Sequence, residues 1–145
     1  MKRIYIDMDD TICHFIEASD KAKLENPKQP FPQAQWGFFL GLSPIEGAVD
    51  NILKLSRDFD IWFLTRPSTR NINCYSEKAQ WILNHFGQWG VDRLIICPNK
   101  SLVKGEFLID DQGGFGQEEF EGTWIKFGDD IKDWYTLYDY LISLK

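Results

Sequence analysis

Near its N-terminus the chain sets three apolar or aromatic residues, Ile4-Tyr5-Ile6, directly against a cluster of acids at Asp7, Asp9 and Asp10. No other feature limits the possible folds so strongly. The first three residues read as a short buried strand, and the acids then fall at its C-terminal tip. In open α/β sheets that edge is where ligands bind. Carboxylates from residues i and i+2 crowd like charge there, which is unfavourable unless a proton or a cation compensates it. A hard divalent metal with oxygen ligands is the simplest compensation.

The rest of the chain repeats the strand signal at intervals. Residues 60–64, 93–97, 106–109 and 123–127 are further short apolar runs. Between them Ile45, Val49, Ile52 and Leu53 share one face of a helix, as do Tyr75, Ala79, Ile82, Leu83 and Phe86. A last helix over about 131–144 carries Ile131, Trp134, Tyr135, Tyr138, Leu141 and Ile142. This alternation predicts an α/β fold, a Rossmann-like three-layer sandwich with a central five-stranded parallel sheet and helices on both faces. The link from the third strand to the fourth holds no clear helix.

Residues 13–41 interrupt the pattern and read as a small helical cap inserted after the first strand. A helix over about 11–24 is followed by Asn26-Pro27, Gln29-Pro30 and Phe31-Pro32, which forbid regular structure. Trp36, Phe38 and Phe39 then crowd a polar stretch. They suit either the anchors of a small core or a stacking wall for a planar ligand.

At 145 residues the chain fits one domain, 1–145, with a core that needs no staples. A net charge of -6 argues against a nucleic-acid polymer as partner but leaves room for a small phosphorylated ligand. Cys13, Cys74 and Cys97 are odd in number and form no CxxC pair, so neither a disulfide framework nor a zinc site is expected. No apolar run approaches the roughly 20 residues of a membrane span. Met1-Lys2-Arg3 leads straight to Asp7 without a signal-peptide core, and the expected compartment is the cytoplasm. The sequence leaves the oligomeric state open.

Chemistry-bearing residues recur at strand ends. Asp7 and Asp9 follow the first strand, Thr65-Arg66 the second, Lys100 the third, and Asp110-Asp111 close the fourth; Lys78 lies in the helix between the second and third. Each match alone is weak, since an acidic strand end is often a helix cap and a lone lysine often a solvated turn residue. Their agreement in chain order is strong. Asp7-x-Asp9-x-Thr11, Thr65, Lys100 and Asp110-Asp111 resemble the four motifs of the haloacid dehalogenase-like superfamily across nearly the whole chain. Phe15, Pro44-Ile45-Glu46-Gly47-Ala48-Val49, Glu77-Lys78, Trp81, His85-Phe86-Gly87 and Leu108-Ile109-Asp110-Asp111 further resemble the 5′(3′)-deoxyribonucleotidase family.

The resemblance implies a magnesium-dependent phosphomonoesterase acting on deoxynucleoside monophosphates. An aspartate carboxylate is ionised at neutral pH without help from a base. Asp7 is therefore expected to attack phosphorus, with Asp9 as the general acid and base. Thr65 and Lys100 would hold the phosphoryl oxygens, with Lys78 as a second cation. By the resemblance, magnesium takes the Asp7 carboxylate, the Asp9 carbonyl and one acid of Asp110 and Asp111. Phe15 matches a base-stacking position, or else packs in the cap, and Trp36 and Phe38 are the other candidates for substrate contact. Arg66 stands where the family commonly has serine, and could grip phosphate in a bidentate way or face solvent. Asp10 stands where the family usually has glycine, and could cap the following helix. The interval from Asp7 to Thr65 is shorter than in the animal enzymes, so the cap is truncated. Two alternatives remain at this stage: a phosphatase for another small ester such as a sugar phosphate, and a catalytically silent phosphate-binding domain.

Overall fold

A computed structural model describes residues 1–145. Five strands, β1 (Arg3–Ile6), β2 (Asp60–Thr65), β3 (Leu94–Ile96), β4 (Phe107–Asp110) and β5 (Thr123–Lys126), form one sheet in the order β3-β2-β1-β4-β5. Every pairing is parallel. Four helices accompany them: α1 (Phe15–Glu25), α2 (Ala48–Leu55), α3 (Cys74–Val91) and α4 (Trp134–Ser143). From β1 the chain moves outward through β2 and β3, then returns to the other side of β1 as β4 and β5. The order therefore reverses between β1 and β4, and open α/β sheets bind ligands in the crevice at such a switch point.

The strand residues divide by alternation. Ile4, Ile6, Ile61, Phe63, Phe107, Ile109 and Ile125 pack on one face with Ile52 and Leu55 of α2, Trp81, Ile82 and Phe86 of α3, and Trp134, Leu137 and Leu141 of α4. Each such side chain, once fully buried, contributes about 1.5–3 kcal/mol. The opposite face carries Tyr5, Leu64 and Leu108, packed against Phe120, with Val103, Trp62 and Trp124 at its margins. Helices were expected on both faces, yet α2, α3 and α4 all join the first. Irregular chain from residues 97–106 and 111–122 forms the other layer: the first connection is short and broken by Pro98 and Gly105, and the second carries Gly113, Gly114, Gly116 and Gly122. Only a single 3-10 turn, Lys100–Leu102, occurs there.

The helices also differ in detail from the periodicity. The first helix begins at Phe15 rather than near residue 11. Before it Asp10 adopts a left-handed conformation with φ 60, and the Met8 carbonyl gathers the amides of Thr11, Ile12 and Cys13. Asp10 Oδ1 then accepts from the amides of Phe15 and Ile16, each at 3.0 Å, so this acid does cap the helix. The face of α3 is rotated by about one position: Cys74, Lys78, Trp81 and Ile82 are buried, while Tyr75 and Leu83 are exposed. Lys78 can point inward because carboxylate and hydroxyl partners receive its ammonium, which a count of apolar residues overlooks. Helix α4 starts at Trp134, where the Asp133 side chain accepts from the Thr136 amide at 2.9 Å, and leaves Tyr135 exposed. Leu53 of α2 is likewise turned outward.

Within 13–41, α1 is followed by two 3-10 turns, Pro32–Ala34 and Phe39–Gly41. Phe15, Phe38 and Phe39 meet as a cluster of three rings with centroids 5.4–5.9 Å apart. No helix in the chain is long and apolar enough to cross a membrane.

Candidate active site

The carboxyl ends of β1 and β4 lie side by side. The Asp7 amide donates to the Ile109 carbonyl at 2.9 Å, extending the ladder by one step before the chains part. Asp7 and Asp110 are thereby placed together and almost fully buried. Lys100, delivered by the 3-10 turn after β3, bridges them, with Nζ 2.5 Å from Asp7 Oδ1 and 2.5 Å from Asp110 Oδ2. A helix would have carried this lysine away; the turn is held instead by the Lys100 amide donating to the Phe115 carbonyl at 2.8 Å.

Asp110 is held from every side. Its Oδ2 also accepts from Gln117 Nε2 at 2.9 Å, its Oδ1 from the Gln112 amide at 3.1 Å, and its carbonyl from Trp124 Nε1 at 3.1 Å. Asp111 has far less support, a long 3.4 Å contact from the Thr11 hydroxyl, which lies equally near Asp7 Oδ2 at 3.3 Å. The loop after β1 is fixed from behind, where Trp134 Nε1 donates to the Thr11 carbonyl at 2.8 Å.

On the other flank Lys78 reaches up from α3. Its Nζ donates to Asp9 Oδ2 at 2.9 Å and to Thr65 Oγ1 at 2.5 Å. Lys78 and Thr65 are buried beneath the site, while the Asp9 side chain keeps 28% of its surface open. The seven residues Asp7, Asp9, Thr65, Lys78, Lys100, Asp110 and Asp111 thus converge at one sheet edge.

Electrostatics follow from the crowding. Burial raises the Asp9 carboxyl, Lys78 opposes it, and the charge of Asp7 adds to the rise, leaving the net shift upward. Burial and then the charge of Asp7 raise Asp110 to about 6, although Lys100 and Gln117 pull the other way. Asp111 is pushed up to about 8 by burial, by Asp7 and by Asp110. For both lysines burial acts downward, but their carboxylate partners outweigh it and hold them charged. The four acids Asp7, Asp9, Asp110 and Asp111 thus face only two ammonium groups, Lys78 and Lys100.

A divalent ion fits that deficit. Asp7, Asp110 and Asp111 each offer a carboxylate oxygen, and these atoms lie within 4.8 Å of one another. No backbone donor occupies the Asp9 carbonyl. An all-oxygen set of this kind suits a hard cation such as magnesium. Asp111, with its unsatisfied oxygens, is freer to ligate than the saturated Asp110.

Above the carboxylates opens a cavity of about 430 Å³. Phe15, Phe39 and Arg66 line it, and so do Phe31, Arg70 and Phe115, for which the sequence carried no stated role. Trp36 and Phe38 are not brought to it. Trp36 is 71% exposed on the outer surface, and Phe38 packs behind Phe15 and Phe39. Gln117 was not legible either, since a glutamine in a glycine-rich loop carries no signal of its own. Phe31 had one, because a ring flanked by prolines in a turn has few places to go but a wall.

The family described as 5′ nucleotidase, deoxy (Pyrimidine), cytosolic type C protein matches residues 29–131. A protein of Vibrio phage KVP40, carried under the inferred name 5′(3′)-deoxyribonucleotidase, is 31% identical over 143 residues, covering 97% of this chain and 84% of its own length. The human cytosolic-type 5′(3′)-deoxyribonucleotidase is 38% identical over 86 residues, which are 57% of this chain and 43% of that protein. The human mitochondrial 5′(3′)-deoxyribonucleotidase is 27% identical over 89 residues, 60% of this chain and 39% of that protein. With a family match over most of its length and a relative aligned over 97% of it, the chain belongs to the cytosolic type C 5′ nucleotidase family.

Proposed function

We propose that the chain is a magnesium-dependent phosphomonoesterase that hydrolyses deoxynucleoside monophosphates to nucleoside and inorganic phosphate. The observation that carries this reading is the Asp7-Lys100-Asp110 cluster at the switch point, with Asp9, Thr65 and Lys78 on its flank. Asp7 attacks phosphorus to give an aspartyl-phosphate, and the bond from phosphorus to the nucleoside oxygen breaks. Asp9 gives that oxygen a proton; its raised carboxyl pKa supports the assignment. In the second half Asp9 takes a proton from water, which attacks phosphorus and frees Asp7 and phosphate. Lys100, Lys78 and the Thr65 hydroxyl hold the phosphoryl oxygens, stabilising charge that grows in the transition state.

Magnesium would be held by Asp7, Asp111 and the Asp9 carbonyl, where it supplies charge neutralisation at phosphorus. Phe15, Phe31, Phe39 and Phe115 surround the leaving nucleoside, and this aromatic lining favours a nucleotide over a bare sugar phosphate. Residues 13–41 act as the cap over that group.

Phosphate release with magnesium from deoxynucleotides, ribonucleotides, 3′-monophosphates and sugar phosphates tests the reading. Selective hydrolysis of deoxynucleotides by the wild type, with none by Asp7→Asn, is expected. Turnover confined to sugar phosphates would overturn the nucleotide assignment, and substantial activity in Asp7→Asn would overturn the nucleophile.

A further inference from the structure

The ammonium groups beneath the cavity are already engaged. Lys100 bridges Asp7 and Asp110, and Lys78 joins Asp9 to Thr65. With the four acids ionised, two ammoniums and one divalent ion leave that floor without net charge. A phosphate monoester arriving over Asp7 adds roughly −1.5 to −2 of charge at neutral pH. Its binding therefore calls for a further cation at the rim.

Two cations of the wall are free. Arg66 and Arg70 stand in no ion pair and donate no hydrogen bond to the protein. Arg70 lies against a ring of the cap, its guanidinium 4.7 Å from the centroid of Phe31. Arg66 lies against Phe115 at 3.9 Å. Stacking of this kind satisfies the face of a guanidinium and leaves its N–H edge free, which suits two oxygens of one phosphate.

Only Arg66 is fixed between the groups that hold the phosphoryl oxygens. Its Cα lies about 3.8 Å from that of Thr65, the preceding residue. The Thr65 carbonyl accepts from the Cys97 amide at 2.9 Å, and buried Pro67 steers Arg66 toward extended backbone. At the far end Phe115 is held by its own backbone. Its amide donates to Gln117 Oε1 at 2.8 Å, and its carbonyl accepts from the Lys100 amide at 2.8 Å. Arg66 thus starts at the residue that offers the Thr65 hydroxyl and ends on the bracket that sets the Lys100 turn. Asp7 and Lys100 line the same cavity.

We propose that Arg66 is a phosphoryl-binding residue of this site, its N–H edge taking two oxygens of the substrate phosphate, and that Phe115 is the residue that positions it. This rests on the phosphomonoesterase reading above and adds to its binding machinery.

The test measures kcat/KM for a deoxynucleoside 5′-monophosphate and for p-nitrophenyl phosphate, which has neither sugar nor base. Arg66→Gln should lower both at least tenfold and to the same extent, with the melting temperature unchanged, and Arg66→Lys should restore part. Phe115→Leu should lower both severalfold in the wild type and hardly at all in Arg66→Gln, while Phe115→Tyr keeps the wild-type rate. A loss confined to the nucleotide would place Arg66 on the nucleoside and overturn the assignment, as would an unchanged kcat/KM. Equal effects of Phe115→Leu with and without Arg66 would overturn the positioning role. Calorimetric binding of inorganic phosphate in the presence of magnesium is read independently of turnover and should weaken at least tenfold in Arg66→Gln. A wild type that hydrolyses neither ester counts against the phosphomonoesterase reading, whereas phosphate binding that ignores Arg66 counts against this proposal.

Discussion

At the scale of single residues, the site is governed by how completely each polar atom is answered. Asp110 has a partner on every oxygen, and one of them, Gln117, is 2% exposed and shares Oδ2 with Lys100. Gln117→Leu keeps the volume and removes the donor, leaving this buried Asp110 oxygen to Lys100 alone, a loss of about 1–3 kcal/mol in urea unfolding. An unchanged stability would show that Lys100 and the Gln112 amide suffice. Asp10 makes a different kind of contribution, answering two amides at the start of α1. Asp10→Ala should lower stability by about 1 kcal/mol in urea unfolding, and Asp10→Asn should recover most of it. The acids and lysines of the site were legible because charge at the end of an apolar run has no purely structural reason to recur. Gln117 and Arg70 were not, because their meaning lies in which neighbour they touch.

At the scale of elements, the sequence announced where strands and helices lie better than which way the helices face. The five strands fall within a residue or so of the apolar runs, since a buried parallel strand has little choice of composition. In α3 the pattern was read from Tyr75 and Leu83, yet the buried side carries Lys78 and Trp81. Both are polar at the tip: one meets Asp9 and Thr65, the other donates from Nε1 to the Leu42 carbonyl at 2.7 Å. Trp134 of α4 does the same for the Thr11 carbonyl, linking the last helix to the first loop. Trp134→Phe retains most of the packing and leaves that carbonyl without its donor, a loss of about 1–3 kcal/mol. Because the loop carries Asp9 and Thr11, kcat should drop alongside the melting temperature. A variant that is less stable but equally fast would confine Trp134 to the core.

At the scale of the whole molecule, folding gathers acids that repel one another, and stability should record it. Asp9, Asp10, Asp110 and Asp111 all have carboxyl pKa values raised in the folded state, with burial as the first cause. An acid raised in this way binds its proton more tightly when folded, so its contribution is complete below about 3.9, the ordinary aspartate value. That contribution is lost as the pH climbs through about 6 for Asp110 and about 8 for Asp111. Without metal, the melting temperature should therefore fall between pH 5 and pH 8.5, and magnesium should raise it more at the alkaline end. The same increment at both ends would mean that the ion does not bind among these acids. The irregular layer over the second sheet face has a consequence of another kind. Residues 97–106 and 111–122 cover Tyr5 and Leu108 with Val103 and Phe120, and the same layer supplies Lys100, Asp111, Phe115 and Gln117 to the cavity. Roof and workbench are one layer. A transient opening of that layer would wet the sheet and dismantle the reaction centre together, so a bound ligand should slow amide exchange in strands it never touches.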